Sequence, residues 1–357
     1  MKFLYHSWPE YKNHEKIIPL SDKTSGLKGF IVVHNTNLGS ALGGTRIYPY
    51  KSMSLALKDA LLLSRAMTYK CAIAGMPFGG GKGVIIANPK QKNIKKILQA
   101  YAKEVEKLKG LFRTGEDVGM TGDYVEYMSR FSKYFIGQEH LAGDPSPYAA
   151  HSAFLSLKIA LKQVYKNSSI KGRTFAIKGL GKTGSCLAEY LIKEGGFLWV
   201  SDIDMEKSRN FEKKYGQQNV RISSPEKICM APADVYVPCA MGNDINENLA
   251  KKIKFKIVVG TANNQLSGKD TAKILQERGI LHIPDYVSNA GGVINVANEL
   301  LPGGYKKSRV LYKINKMKNV LEKILQISKK QNKSPDLVAD RLAEDIFLNK
   351  NKVFTHG

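Results

Sequence analysis

Apolar and polar positions along this chain form two strand–helix series separated by a turn-rich stretch. Residues 29–35, GFIVVHN, have the β-branched content of a buried strand. Within 52–68, Leu55, Leu57, Ala60, Leu61, Ser64 and Met67 recur near helical spacing, with Ser52 or Ser54 placed to cap the helix. Residues 83–87 (GVIIA) predict a strand closed by Asn88-Pro89, residues 93–109 a lysine-rich helix, and residues 121–131 another. GDPSP at 143–147 is the expected domain junction. A long helix over 148–165 then opens the second series. It continues with a strand (Thr174–Lys178), a glycine turn, a helix (Thr183–Lys193) and a strand (Phe197–Ser201). Short apolar strands at 234–237, 256–259 and 281–283 extend the alternation, and the tail from about 306 reads as amphipathic helix. The expected architecture is α/β, with a first α/β domain over 1–145 and a parallel, doubly wound Rossmann-type domain over 146–305. The helices of 306–357 are expected to pack back toward the first domain.

Composition narrows the class without changing this picture. The chain has 357 residues, 43% hydrophobic and 24% charged, enough for two globular cores. No run of eighteen apolar residues exists, so no membrane span is expected, and the start, MKFLYHSWPEYKNHEK, is unlike a secretory signal. Four scattered cysteines (Cys71, Cys186, Cys229, Cys239) lack metal-ligand spacing and are expected to be reduced, mostly buried thiols of a cytoplasmic protein that holds no metal. The net charge of +24 raises the question of a nucleic-acid partner. The lysines are spread over most helices and mixed with acids, with no aromatic–basic pattern, so a lysine-biased surface is expected instead.

Two motifs carry chemistry. The first is GLGKTG: Gly179, Gly181 and Gly184, with Leu180, Lys182 and Thr183 between them. It follows a strand, opens a helix, and is followed eighteen residues past Gly184 by Asp202 at the end of the next strand. That is the full dinucleotide fingerprint. Gly179 allows the tight turn, Gly181 the approach of the pyrophosphate to the helix N-terminus, and Gly184 close helix–strand packing. Asp202 would accept from the ribose hydroxyls and repel a 2′-phosphate, which favours NAD over NADP, while Lys178 and Lys182 beside the turn weaken that preference. An ATP loop around Gly81-Lys82 is rejected, because position 76 is Met76 and the residue after the lysine is Gly83.

The second motif is MTYKCAIAGMPFGGGKGVIIANP, residues 67–89, whose only charges are Lys70 and Lys82. A lysine in apolar surroundings is costly unless its charge or its lone pair is used, and desolvation or a second cation makes the neutral amine available as a base. Two surface lysines beside a loop remain the simpler alternative. Oxidising an amino acid with a nicotinamide needs a cation for the carboxylate, a base, and a carboxylate to hold the ammonium or steer protons. Asp117, in RTGEDVGM, supplies the third, unless it is a helix cap or a surface acid.

With these segments in view, the chain resembles the amino-acid dehydrogenases acting on leucine, valine, phenylalanine and glutamate, and the leucine branch most of all. The resemblance rests on SGLKGFIVVHNTNLGSALGGTRIYPY, the 67–89 segment, TGEDVG, GLGKTG, VPCAMG, GTANNQL and PDYVSNAGGVINVANEL, in the family's order from about residue 25 to 300. It implies a substrate and oligomerisation domain followed by an NAD-binding domain, in a homo-oligomer. Lys70 would bind the substrate carboxylate with Asn264 and the Gly43-Gly44 backbone, Lys82 would be the general base, and Asp117 would assist it. Cys239, Ala240, Asn263 and Asn264 would lie against the cofactor. Leu42, Met67, Gly115, Val293 and Val296 would line the side-chain pocket. The implied reaction is reversible oxidative deamination of an L-amino acid, leucine or another branched-chain one, to a 2-oxo acid and ammonia. An aromatic amino-acid (phenylalanine or tryptophan) dehydrogenase and a catalytically weak regulator that binds NAD or amino acids are the alternatives. The chain departs from the pattern at Tyr148-Ala149-Ala150, where relatives carry a threonine near the nicotinamide amide. Asn263 stands where leucine enzymes have an apolar residue, and Gly115 where they have alanine.

Overall fold

The computed structural model describes residues 5–349. They form two compact units, one of residues 5–144, 295–306 and 343–349, the other of Pro145–Ile294 and Lys307–Leu342.

The first unit opens with strands β1 (Lys16–Asp22) and β2 (Leu27–Asn35), followed by β3 (Ala41–Leu42) and β4 (Thr45–Tyr48). Helix α1 (Met53–Ile73), strand β5 (Gly79–Ile86), helix α2 (Ile94–Lys107), strand β6 (Phe112–Arg113) and helix α3 (Gly122–Ser129) complete its run. The sheet order is β1-β2-β5-β3-β6, with β4 also paired to β5. β2 runs antiparallel to β1 and β5, whereas β3 and β4 run parallel to β5, so the sheet is mixed. β1 escapes the sequence reading because Pro19 interrupts it; it lies at the sheet's edge, where a missing N–H is tolerated.

Strand alternation divides the core into two layers. Phe30, Val32 and Val84 pack with Ala56, Leu57, Ala60 and Leu61 of α1. Ile31, Val33, Ile47 and Ile85 pack on the opposite face with Ile97, Leu98 and Tyr101 of α2. Ser52 is the cap of α1, its hydroxyl accepting from the Leu55 N–H at 3.2 Å. The helix runs on past Thr68 to Ile73 because no glycine or proline interrupts it before Gly75. Lys70 is therefore helical, in the last turn of α1.

The second unit begins with α4 (Ser146–Tyr165), β7 (Thr174–Lys178), α5 (Lys182–Lys193) and β8 (Phe197–Ser201). It continues through α6 (Met205–Tyr215), β9 (Val220–Ile222), β10 (Val235–Pro238), α7 (Glu247–Ala250) and β11 (Ile257–Val258). Then come α8 (Lys269–Glu277), β12 (Leu281–His282), α9 (Asp285–Ser288) and α10 (Gly291–Ala297), whose last residues belong to the first unit. All of its strand pairs are parallel, in the order β12-β11-β10-β7-β8-β9. Read from the other edge this is the 3-2-1-4-5-6 order of a doubly wound dinucleotide fold, with the direction of winding reversing between β7 and β10.

The C-terminal helices divide between the two units. Helix α11 (Lys307–Gln331) packs against α4 in the second unit, burying Val310, Ile314, Met317, Leu321, Ile324 and Leu325. Helix α12 (Pro335–Leu348) is shared: Asp336 and Asp340 bond His282 and Tyr286 of the second unit, and Glu344 bonds Tyr69 of the first. Residues 307–342 thus group with the second unit, where the apolar stripe of α11 is matched to α4, and 343–349 with the first; 350–357 lie outside the described residues. Of the cysteines, only Cys71 is buried, and the other three are half-buried free thiols.

Candidate active site

The glycine-rich segment is a strand, β5, and not a loop. Alternation along it places Gly80 and Lys82 on the α1 side of the sheet and Gly81 and Gly83 on the other. A methyl at Gly80 would collide with the Thr68 backbone nitrogen of α1, and one at Gly83 with the Tyr101 hydroxyl. Glycine is what lets helix and strand approach this closely, leaving Lys82 as the one long side chain in the run. Lys82 is 3% exposed and Lys70 8%, so neither is the surface lysine of the simpler alternative.

Lys82 Nζ donates to Asp117 Oδ2. The other carboxylate oxygen, Oδ1, accepts from Arg46 Nε at 2.8 Å and from the Val118 N–H at 2.7 Å. Asp117 is thus neither a helix cap nor a surface acid. Burial disfavours its charge, but Lys82 and Arg46 together outweigh that and hold the carboxyl well below its ordinary range. Burial pushes the Lys82 amine below the ordinary lysine value, Asp117 opposes this, and Arg46 adds to it. The arrangement keeps a carboxylate ionised beside an amine that gives up its proton more readily than a solvated lysine.

Sequence reasoning missed the second half of this array. Arg46 Nη1 donates to Asp59 Oδ2 at 2.9 Å, and the Tyr50 hydroxyl donates to the same oxygen. The available signal was the one that marked the lysines, since Arg46 is the only Lys, Arg, Asp or Glu between Lys28 and Lys51.

Of the remaining expected residues of this unit, Gly43 and Gly44 abut β5 and the loop that carries Asp117. Gly43 sits against the Gly81 carbonyl and the Met67 side chain, and Gly44 against the Glu116 carbonyl and Asp117. Leu42 is buried, while Met67 and Val296 are half-buried. Gly115 packs on the chain near Ile136. A methyl at Gly115 would lie 2.5 Å from the Ile136 carbonyl oxygen, so its missing side chain makes room for backbone.

In the second unit, the turn after β7 leads to the C-terminal end of β10 across the switch in winding. Gly179 has φ +101°, and a methyl there would meet the Ala240 nitrogen at 2.8 Å. One at Gly184 would meet Cys239 Cβ at 3.1 Å, so Cys239 and Ala240 abut the turn. At Gly181 a methyl would meet nothing within 4 Å. This open space lies over the N-terminus of α5, where Lys182, Thr183 and Gly184 begin the helix with no side-chain cap. That is the shape and polarity a pyrophosphate requires. Asp202 accepts from the Leu180 N–H at 2.7 Å and the Asp204 N–H at 2.9 Å, which fixes its carboxylate beside the turn. Lys178 is engaged by Asp244 at 2.5 Å. Its charge is neutralised there and is not directed to a phosphate. Asn263 accepts from Asn289 at 3.1 Å, Asn264 has φ +51°, and Val293 is buried. Among the described residues no cluster of three His, Cys, Asp or Glu is arranged to hold a metal.

A doubly wound dinucleotide unit, joined to a unit that buries two lysines and a carboxylate, defines a nicotinamide-dependent oxidoreductase of amines. Two family models match the chain: the Glu/Leu/Phe/Val dehydrogenase dimerisation domain over residues 14–134, and Glutamate/Leucine/Phenylalanine/Valine dehydrogenase over 200–345. The chain is 38% identical to the leucine dehydrogenase of Thermoactinomyces intermedius over 94% of its own length and 91% of that protein's. It is 42% identical to the phenylalanine dehydrogenase of Lysinibacillus sphaericus, covering 88% of this chain and 83% of the relative. The crystal structure of L-tryptophan dehydrogenase from Nostoc punctiforme superposes with a TM-score of 0.76 at 37% identity, covering 95% and 97% of the two chains. The chain belongs to the Glu/Leu/Phe/Val dehydrogenase family and is an amino-acid dehydrogenase.

Proposed function

We propose that this enzyme catalyses the reversible, NAD-dependent oxidative deamination of a branched-chain L-amino acid, leucine foremost, to the 2-oxo acid and ammonia. The observation that carries the reading is the buried Lys82–Asp117 pair on the same side of the sheet as the end of helix α1 that bears Lys70.

Lys70 binds the substrate carboxylate by a charge-assisted bond, with the Gly43-Gly44 backbone and Asn264 completing its cradle. The neutral Lys82 amine takes the proton from the substrate ammonium and passes it to solvent, then takes a proton from the water that attacks the iminium carbon and returns it to the nitrogen that leaves as ammonia. Asp117 stays ionised and stabilises Lys82 each time the amine becomes an ammonium. The nicotinamide, when bound, supplies the hydride acceptor for Cα. The turn of Gly179, Leu180, Gly181, Lys182, Thr183 and Gly184 would hold the pyrophosphate. Asp202 would hold the ribose, and Cys239, Ala240, Asn263 and Asn264 would lie along the rest of the cofactor. The engagement of Lys178 by Asp244 supports NAD over NADP, since it removes one phosphate partner.

Leu42, Met67, Gly115 and Val296 of the first unit and Val293 of the second are the residues that would meet the substrate side chain, and their side chains are apolar or absent. No cation is at these positions to receive a second carboxylate, so glutamate is a poor substrate. The aromatic reading is kept because the phenylalanine and tryptophan enzymes are as similar to this chain as the leucine enzymes are. A dimerisation-domain match over 14–134 supports a homo-oligomer, which we place in the cytoplasm. The test is a panel of leucine, isoleucine, valine, methionine, phenylalanine, tryptophan and glutamate with NAD and with NADP. The expected order by kcat/KM puts leucine first and glutamate last. A higher value for phenylalanine or tryptophan replaces the branched-chain assignment with the aromatic one.

A further inference from the structure

Arg46 is a buried cation shared between two carboxylates, Asp117 and Asp59. β4 pairs with β5 so that Arg46 is the register partner of Val84, which puts it on the same face as Lys82. Its Nε holds Asp117 Oδ1 and its Nη1 holds Asp59 Oδ2 of α1, while Tyr50 donates to Asp59. The Val118 N–H donates to Oδ1 of Asp117 as well, so the carboxylate cannot rotate without breaking both of these bonds and the one from Lys82 to Oδ2.

We propose that Arg46 is a positioning residue for the Lys82–Asp117 pair, clamping Asp117 so that Oδ2 alone serves the lysine, with Asp59 setting how much of the guanidinium charge the lysine feels. This rests on the reading of Lys82 as the general base. The two charges act on Lys82 in opposite directions. The Arg46 cation makes the ammonium form less favourable, and the Asp59 anion makes it more favourable. Asp117 acts in the same sense as Asp59, from closer by. The other ionisable groups on the packed elements are Glu116 beside Asp117; Lys58, Arg65, Tyr69, Lys70 and Cys71 on α1; Lys28 and His34 on β2; Tyr48 on β4; and, on α2 across the sheet, Lys95, Lys96, Tyr101, Lys103, Glu104, Glu106 and Lys107. Lys58 pairs with Glu10, Arg65 with Glu344, and Tyr101 bonds Thr45.

The experiment is the pH dependence of kcat/KM for leucine oxidation, at saturating NAD, in the wild type, Arg46→Met, Arg46→Lys and Asp59→Asn. The acidic limb reports loss of a proton from Lys82. Arg46→Met is expected to move that limb to higher pH by about one unit and to lower kcat at least about tenfold, with KM for NAD unchanged. Asp59→Asn is expected to move it to lower pH, since Arg46 is then left uncompensated. Arg46→Lys, which keeps the charge but not the fork, is expected to leave the limb near its wild-type position while losing rate. A purely structural role would lower the active fraction and leave every limb in place. Unmoved limbs, or shifts of the same sign in Arg46→Met and Asp59→Asn, overturn the proposal. Should Arg46→Met not fold, the Asp59→Asn and Arg46→Lys profiles decide it. Lys82→Met separates this claim from the one beneath it: retained turnover there removes the general base itself, whereas an inactive Lys82→Met with unmoved limbs elsewhere removes only the role of Arg46.

Discussion

Replacing Lys82 by methionine should separate chemistry from folding more cleanly than any other single change. Methionine has nearly the length of lysine and no charge, so it fills the 3%-exposed site on β5 without a cavity. Breaking a buried ion pair usually costs about 3–5 kcal/mol, because one charge is left uncompensated. Here Asp117 keeps the Arg46 guanidinium and the Val118 N–H on Oδ1, so it is not stranded. The desolvation of a buried ammonium is also relieved. The net loss should be about 1–2 kcal/mol, the scale of one charged hydrogen bond, or a shift in Tm of roughly 2–8 °C. Activity should fall far more, by about 10²–10⁴ in kcat, which is about 2.7–5.4 kcal/mol of barrier. The assay is initial-rate NADH formation with leucine, alongside thermal unfolding and NAD binding of the same preparation. NAD affinity should be unchanged, because every proposed cofactor contact lies in the second unit. A variant that keeps turnover within threefold of the wild type would refute the base assignment. One that unfolds would refute the account of how Asp117 is held.

Other changes probe separate parts of the structure. Wild-type enzyme should favour NAD over NADP by at least about tenfold, roughly 1.4 kcal/mol, and Asp202→Ser should erode that ratio; equal rates with both cofactors in the wild type would contradict it. Gly115→Ala should cost about 1–3 kcal/mol of stability by pressing on the Ile136 carbonyl, with a lowered Tm as the readout; an unchanged Tm would mean that this backbone yields freely. Oxidation should speed up with pH along a limb centred below the ordinary lysine range near 10.4, because the lowered proton affinity of Lys82 frees its amine earlier. His282 is buried with its Nδ1 at 2.9 Å from Asp336, and despite the burial its pKa is raised by that carboxylate. Its stabilisation is complete below the ordinary value of 6.5 and is lost as pH rises through the raised folded value. The Tm gap between wild type and His282→Gln should therefore narrow from about pH 6 to pH 9.

The second unit was the more legible in sequence. β7 and β8 fall on Thr174–Lys178 and Phe197–Ser201 as read, because parallel strands buried on both faces are continuous apolar runs bounded by turn glycines. The first unit was harder. Its glycine run reads as a loop by composition, and only the close approach of Thr68 and Tyr101 makes it a strand. The burial of Lys70 and Lys82 was legible from their isolation among apolar residues. The Arg46–Asp59 arm was not, because its members are thirteen residues apart on a strand and a helix and meet only through the pairing of β4 with β5. At Gly115, expected to line the pocket, the sequence held no sign that a side chain would press on the Ile136 carbonyl, which lies twenty-one residues further on.

The central claim is that this chain couples oxidation of an amino acid to release of its nitrogen. It is tested most directly by incubating the purified enzyme with L-leucine and NAD and measuring NADH and ammonia together. The account predicts that both appear in equal amounts, with the 2-oxo acid matching them, and that the reaction runs backwards when 2-oxo acid, ammonia and NADH are supplied. Binding of leucine or NAD with neither NADH nor ammonia formed would contradict it.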